Sequence, residues 1–551
     1  MSKHWLGKGI GIFSSVALLG LVVTGCGTGG NASAASSNSS SSQTKTGGTI
    51  TIDEVDDFAH LDPALAYDDG DWEVVPQFYD QLVTYKPGTS TIVPDVATDY
   101  TVSSDGLTYT FHLHKGVQFW NGDALTAQSF IDEFQRVLSK KVNSPGEGFL
   151  DPAVKGAHAY YEGTAKTISG ITAPDPYTLV IQLTQPEAFF PKVLAMSFFS
   201  AVDQKYIDKV GNEKFDHDPM GTGPWEMKSY QQGSQMVLVK NPHYFKAGEP
   251  KLDQINIDIN KNEDLAGLNF KSGKTAFIGW NQNIDSQTYI SLKNDPKYKN
   301  QFQSQPLVAT YYLALNSKPN SPIQNKLVRQ AIEMAIDKQK LVQLQNGRAQ
   351  VANQILPPAM PGYEKTLPSD VDYQYNPTKA KQLLAQAGYS HGFKVSMLTT
   401  NDSTSIQLVT SIQADLKQIG IDVTLVPRSS SEYLQGTESL KYPLVYTAWF
   451  QDFPDPYDFL DILLNGDEIP NNNWSNYNNP TVNKELAQAR VMPDGQARYA
   501  LYDKIQNQIL ADAPWVPLYT PVLYAVVQPN IKGFYMGPVL EDPLQNLSLS
   551  N

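Results

Sequence analysis

Cysteine is almost absent from this chain: among 551 residues there is one, Cys26. That excludes an intramolecular disulfide and any metal site built from several thiolates. Histidine is scarce, with eight residues, and no His-Glu-x-x-His spacing sets two imidazoles and a general base on one helix face. His112 and His114 alternate on a strand-forming stretch and read as a half-exposed strand pair rather than a metal site. Positive charge is in deficit: 42 Lys and Arg face 56 Asp and Glu, a net charge of −14. Nucleic-acid binding, which needs cations to replace the phosphate counterions, is excluded as a function class. Neither a Gly-x-x-x-x-Gly-Lys-Ser/Thr loop nor a Gly-x-Ser-x-Gly elbow occurs. Gly25, Gly27 and Gly30 match Gly-x-Gly-x-x-Gly, but no strand precedes them and no helix follows, so a dinucleotide loop is not supported. With no nucleophile–base arrangement visible, neither catalytic residues nor a metal or cofactor are expected. Beyond Val23 no apolar run reaches the roughly 20 residues needed to cross a bilayer.

What the chain does have is 41% hydrophobic residues, enough for real cores, over a length that suits two to four domains. Lys3, His4 and Lys8 precede the uncharged, mostly apolar run Gly9 to Val23, the pattern of a secretory signal peptide. The run ends in Val23-Thr24-Gly25-Cys26, which resembles the bacterial lipobox. The reading is a signal peptide over residues 1–25, acylation of Cys26, and a flexible tether over residues 26–47 rich in Gly, Ser, Ala, Asn, Thr and Gln. It implies a body held to the cell membrane by lipid, on the extracytoplasmic face.

From Gly48 on, strand and helix patterns alternate. Thr49–Ile52, Leu107–Leu113, Leu179–Leu183 and Met236–Val239 read as strands. Leu327 to Leu344 reads as one amphipathic helix, with Leu327, Ala331, Met334, Ala335, Leu341 and Leu344 at helical spacing. Lys379–Ala387 reads as a second helix closed by Gly388, and Ile406–Ile419 as a third, closed by Gly420 and followed by the strand Ile421–Leu425. Helix–glycine–strand units of this kind indicate an α/β protein.

Tyr109-Thr110-Phe111-His112-Leu113-His114-Lys115-Gly116-Val117-Gln118-Phe119-Trp120-Asn121-Gly122-Asp123, continued by Leu125-Thr126-Ala127, is the most distinctive stretch. Leu61-Asp62-Pro63, Gly221-Thr222-Gly223-Pro224, Asn241-Pro242-His243-Tyr244, Val328-Arg329-Gln330-Ala331-Ile332 and Ala513-Pro514-Trp515-Val516-Pro517-Leu518-Tyr519 follow in order. Together they resemble the extracytoplasmic solute-binding proteins of the oligopeptide/dipeptide/nickel class, which feed ABC importers. The likeness runs from about Gly48 to Ser548, and these motifs identify the fold rather than line a ligand. The resemblance implies an α/β, bilobal periplasmic-binding-protein-like fold with an extra domain. Its three domains would be domain I over residues 48–82, 203–305 and 516–551, domain II over 83–202, and domain III over 306–515. Two crossings, near Gln305 and Trp515, would form the hinge on which the two lobes close. The protein would be a monomeric binding protein, not an enzyme, with an oligopeptide ligand and an ABC permease as partners.

The stretch Ala448-Trp449-Phe450-Gln451-Asp452-Phe453-Pro454-Asp455-Pro456 resembles the class's ligand-binding segment. By that resemblance Asp452 meets a peptide's α-ammonium, while Ala448, Trp449 and Phe450 pair backbone with an extended peptide like an added strand. The alternative duties are a turn organised by Asp452 and a core position for Trp449; Asp455, between prolines, reads as turn chemistry. On the facing wall, Tyr67, Asp68, Asp69 and Gly70, and Trp280 with Asn281, fall at cleft positions, an ordinary surface loop being the alternative. No Arg lies between Arg428 and Arg490, so this segment offers no carboxylate clamp. Gly146 stands where some relatives carry an aromatic, which would widen that wall. The rival ligand is an oligosaccharide, glycoside or metal chelate on the same fold.

Overall fold

The computed structural model describes residues 44–279, 284–539 and 543–550. The expected signal peptide, Cys26, most of the tether, Trp280 and Asn281 lie outside the described residues.

The first body is built on a four-stranded sheet in the order Thr49–Glu54, Gln254–Ile259, Gln235–Lys240, Trp225–Gln231. The first pair is parallel and the others antiparallel. Side chains alternate across a strand, so Ile50 and Ile52, Ile255 and Ile257, and Met236 and Leu238 share one buried face with Phe78 and Trp225. Gly221 and Gly223 pass directly over the end of the helix Asp69–Phe78. A Cβ on Gly221 would lie 1.8 Å from the Phe78 carbonyl oxygen, which is why the Gly-Thr-Gly-Pro motif serves the fold.

The second body is a four-stranded antiparallel sheet in the order Ala97–Val102, Thr108–Leu113, Thr178–Gln182, Ile171–Asp175. Tyr109, Phe111 and Leu113 pack with Leu179 and Ile181 against Phe130, Phe134 and Val137 of the helix Ala127–Val137. His112 turns to the exposed face and bonds Asp99 at 2.7 Å. His114 lies past the strand end beside Phe245. No group of three or more potential metal ligands occurs among the described residues.

The third body is layered on both faces of a larger sheet whose central run is Trp515–Val527, Ala309–Leu315, Leu444–Phe450, Phe393–Thr400, Ile421–Arg428. Alternation divides each strand between two cores. Leu313, Leu315, Leu444, Tyr446 and Met397 face one side; Tyr312, Ala314, Val445 and Leu398 face the other. Strands buried on both faces have near-continuous apolar sequences, and Leu444–Phe450 is buried at every position but the last. The helices Lys326–Ala335, Pro377–Gln386 and Ser403–Gln418 cover the first face. Pro456–Leu464, Pro480–Arg490 and Gln496–Asp512 cover the second.

The strand Trp515–Val527 joins the bodies. Trp515 to Tyr519 pair with Ala309–Leu315, Val522 to Val526 with Phe302–Pro306, and Val526 and Val527 with Phe277–Ile278. Leu518 lies in the third body's core and Val527 in the first's.

Two sequence expectations change. The span Leu327–Leu344 is two helices, Lys326–Ala335 and Lys338–Leu344. Ile336 is extended and Asp337 caps the second helix by accepting the Lys340 amide, so a local capping bond outcompetes a continuous apolar stripe. The end of the expected tether is also structured: Thr44–Lys45 pairs antiparallel with Ser548–Ser550, and Gly47 N–H donates to the Lys251 carbonyl at 2.7 Å.

Candidate functional site

The strand Leu444–Phe450 pairs along its whole length with Ala309–Leu315. On its other edge the pairing with Phe393–Thr400 registers Leu444 and Val445. Trp449 therefore sits near the end of the strand but turns into the core with Phe459, Leu460 and Trp515. Its indole N–H donates to Asp458 Oδ2 at 3.4 Å. Ala448 is buried, and Phe450, half-buried, stands edge-on to Tyr311 with ring centroids 5.9 Å apart. The chain then leaves the sheet. Gln451 N–H donates to the Val308 carbonyl at 3.0 Å, and Asp452 N–H to Asp458 Oδ2 at 3.0 Å.

These bonds aim Asp452 at Tyr67, a residue of the second body's core, whose hydroxyl donates to Asp452 Oδ1 at 2.8 Å. Burial pushes the Asp452 carboxyl up to about 6, although the Tyr67 bond favours its anion. Asp458 is pushed well above the usual range by burial and then by the Asp452 charge, against the two N–H donors that favour its ionised form. Two enclosed carboxylates this close resist double ionisation. Asp458, at the inner position, keeps the proton longer, and Asp452 is the anion presented across the interface. Asp458 Oδ1 is buried and has no hydrogen-bond partner among the described residues.

Tyr67 is buried, packed between Trp72 at 5.7 Å and Phe198 at 5.6 Å by ring centroids. Asp68 is extended and half-buried, and its carbonyl accepts the Trp72 N–H at 3.0 Å. Asp69 and Gly70 open the helix Asp69–Phe78 rather than continue an extended wall. Gly146 does not widen this region. A Cβ there would lie 2.7 Å from the Phe198 ring, so the space the missing side chain leaves is already filled by Phe198.

Asp455 does more than organise a turn. It caps the helix Pro456–Leu464 by accepting the Tyr457 N–H at 3.1 Å. It receives both Nη groups of Arg498, at 2.9 and 2.7 Å, and Lys192 Nζ of the second body at 3.0 Å. Burial alone would raise its pKa; Lys192 and Arg498 outweigh that and hold it below the usual value. The sequence pattern singles out none of Asp458, Lys192 and Arg498. Asp458, three residues after Asp455 in the first turn of a helix, carries a weak positional signal, whereas Lys192 is 263 residues from Asp455.

The comparisons with known proteins agree with this architecture. The family model described as "Bacterial extracellular solute-binding proteins, family 5 Middle" matches residues 91–471. Heme-binding protein A of Haemophilus influenzae is 29% identical over 491 residues, covering 86% of this chain and 87% of that protein. The dipeptide-binding protein of Escherichia coli is 27% identical, covering 86% and 89%. Among solved structures, the ABC transporter-associated periplasmic binding protein DppA of Helicobacter pylori in complex with the peptide STSA superimposes with a TM-score of 0.75. It is 28% identical, and the match covers 92% of this chain and 99% of that one.

Proposed function

We propose, from the premise that this chain belongs to the bacterial extracellular solute-binding proteins of family 5, that it is a receptor capturing oligopeptides between two lobes and delivering them to an ABC permease. The observation that carries this reading is Asp452, a carboxylate fixed by its own backbone at a sheet end and met from the opposite lobe by a neutral hydroxyl, Tyr67. An enclosed carboxylate calls for a cation, and a peptide's α-ammonium supplies one with three donors. Ala448, Trp449 and Phe450 contribute backbone to an extended main chain, at the end of a strand whose second edge is registered with a neighbouring strand at Leu444 and Val445. The side chain of Trp449 supports Asp458 from the core. On this reading Tyr67 and Asp68 form the facing wall together with Trp280 and Asn281, which lie outside the described residues, while Asp69 and Gly70 open the adjoining helix. Cys26 carries the lipid that holds this monomeric protein at the extracytoplasmic face of the membrane. Relatives named for dipeptide binding and a neighbour solved with a bound tetrapeptide support the ligand class.

Calorimetry on the purified full chain with mixed tri- to octapeptides tests this reading. Binding is expected for free amino termini and lost on N-acetylation; binding indifferent to acetylation overturns the role of Asp452. Haemin is titrated in parallel, because one relative is named for haem, and its binding in place of peptides transfers the reading to a metal chelate. Intact-mass measurement of membrane-extracted protein tests acylation of Cys26.

A further inference from the structure

The segment from Asp452 to Tyr457 is held at both ends by the other lobe. At its start Asp452 meets Tyr67, which packs in the second body's core. From Phe453 onward it is gripped by the second body, through one short helical turn, Phe190–Val193, capped by Phe189. Phe189 and Lys192 are three residues apart, so they share a face of that turn. The Phe189 ring lies nearly parallel to Tyr457, with centroids 4.3 Å apart, and to Phe453 at 5.4 Å. Phe453 belongs to the third body by chain and to the second body's core by packing. Lys192 Nζ donates to the Pro454 carbonyl and to Asp455 Oδ2, both at 3.0 Å.

The charges are arranged so that this grip can be released. Asp455 is neutralised within its own body by Arg498, and both side chains are 0% exposed. Withdrawing Lys192 therefore does not orphan a buried carboxylate, and Lys192 itself regains water. The grip is also bordered by space: a cavity of about 330 Å³ runs between the bodies, lined by Tyr100, Ala188, Pro191 and Lys192 on one side and by Pro361 and Tyr499 on the other.

We infer that Phe189 and Lys192 form a clasp by which the second body grips the segment carrying Asp452, fixing that carboxylate in place for the ligand. Phe189 and Lys192 are then positioning residues: they act on the ligand through Asp452, whose main chain runs directly into Phe453. The inference rests on the peptide-receptor reading for its ligand arm, but the clasp itself is a property of the ligand-free protein.

The test uses the full chain with Cys26→Ser, Lys166→Cys and Lys441→Cys, labelled for distance measurement between the exposed positions 166 and 441. Lys192→Met keeps the stem and removes the charge, Phe189→Leu removes the ring, and Lys205→Met, on an exposed lysine, is the control. Without ligand, the distance is expected to lengthen and broaden in both clasp variants and not in the control. With a peptide that binds the parent protein, Lys192→Met is expected to release it about tenfold faster at a nearly unchanged association rate. Ligand-free distances in Lys192→Met indistinguishable from the parent overturn the clasp, and this variant decides alone if Phe189→Leu does not accumulate. Failure of every peptide to bind the parent protein sinks the receptor reading instead, leaving the ligand-free distances to judge the clasp.

Discussion

The hydroxyl of Tyr67 donates to the carboxylate of Asp452 at 2.8 Å, across 385 residues of chain. The bond joins two lobes, satisfies an enclosed anion with a neutral donor, and leaves that anion without a formal countercharge from Tyr67. On the proposed reading an incoming ammonium would supply the charge that the hydroxyl cannot.

The first expected outcome concerns pH. Burial raises Asp452 to about 6, and only its anion attracts an ammonium, so peptide affinity is expected to be level above pH 7 and to fall as pH drops through 6. For a single titrating group the limiting slope is about tenfold per pH unit. The sign for stability is opposite. A carboxyl whose folded pKa exceeds its unfolded value binds more protons in the folded state, so stability declines as pH rises through that interval. Asp452→Asn should therefore gain stability relative to the parent at pH 7.5 and show little difference at pH 4. Calorimetric titrations and denaturant midpoints at both pH values check the two signs.

Tyr67→Phe removes a hydrogen bond that favours the Asp452 anion while keeping the ring between Trp72 and Phe198. The acid limb of the affinity profile should move towards neutral pH. Bonds to charged groups contribute about 1.5–3 kcal/mol, so binding at pH 6 should weaken markedly while the stacked ring preserves the fold. Titrations of both proteins at pH 6 and pH 8 read the difference.

Arg498→Met strands Asp455 in a site where both side chains are 0% exposed. Breaking a buried pair by removing one partner costs about 3–5 kcal/mol, and Lys192 offsets part of this. A lower denaturation midpoint is expected, with a larger loss in the double variant Arg498→Met, Lys192→Met than either single change adds up to. A double-mutant cycle measures the coupling.

Gly221→Ala meets backbone, not a yielding side chain, because its Cβ would fall 1.8 Å from the Phe78 carbonyl oxygen. The helix end and the loop must separate, and overpacking of this kind costs about 1–3 kcal/mol or more. The thermal midpoint should drop, while peptide affinity of the folded fraction stays near that of the parent, because Gly221 lies outside the ligand wall.

Local patterns made most of the architecture legible. An alternating run marked the strand Thr108–Leu113, short β-branched or apolar runs marked Thr49–Glu54, Thr178–Gln182 and Gln235–Lys240, and glycines after helical stripes marked the ends near Gly388 and Gly420, both with positive φ. The break at Ile336–Asp337 was hidden because the apolar stripe continues across it while the deciding event, the Asp337 cap, involves a polar residue three positions from its partner. Gly146 misled for a related reason: a small residue implies space only until the neighbours are known, and Phe198 lies 52 residues further along the chain in the same cavity.

Composition and periodicity, acting through propensity and burial over a few neighbouring residues, determined an α/β chain, and the resemblance of its ordered motifs implied a solute-binding protein with a carboxylate at 452. Only the tertiary structure decided that Tyr67 faces that carboxylate, that Asp458 holds its backbone and that Lys192 and Phe189 grip the residues after it. Each of those pairings joins side chains whose energies depend on mutual distance and on exclusion of water, and neither quantity exists until the lobes have packed.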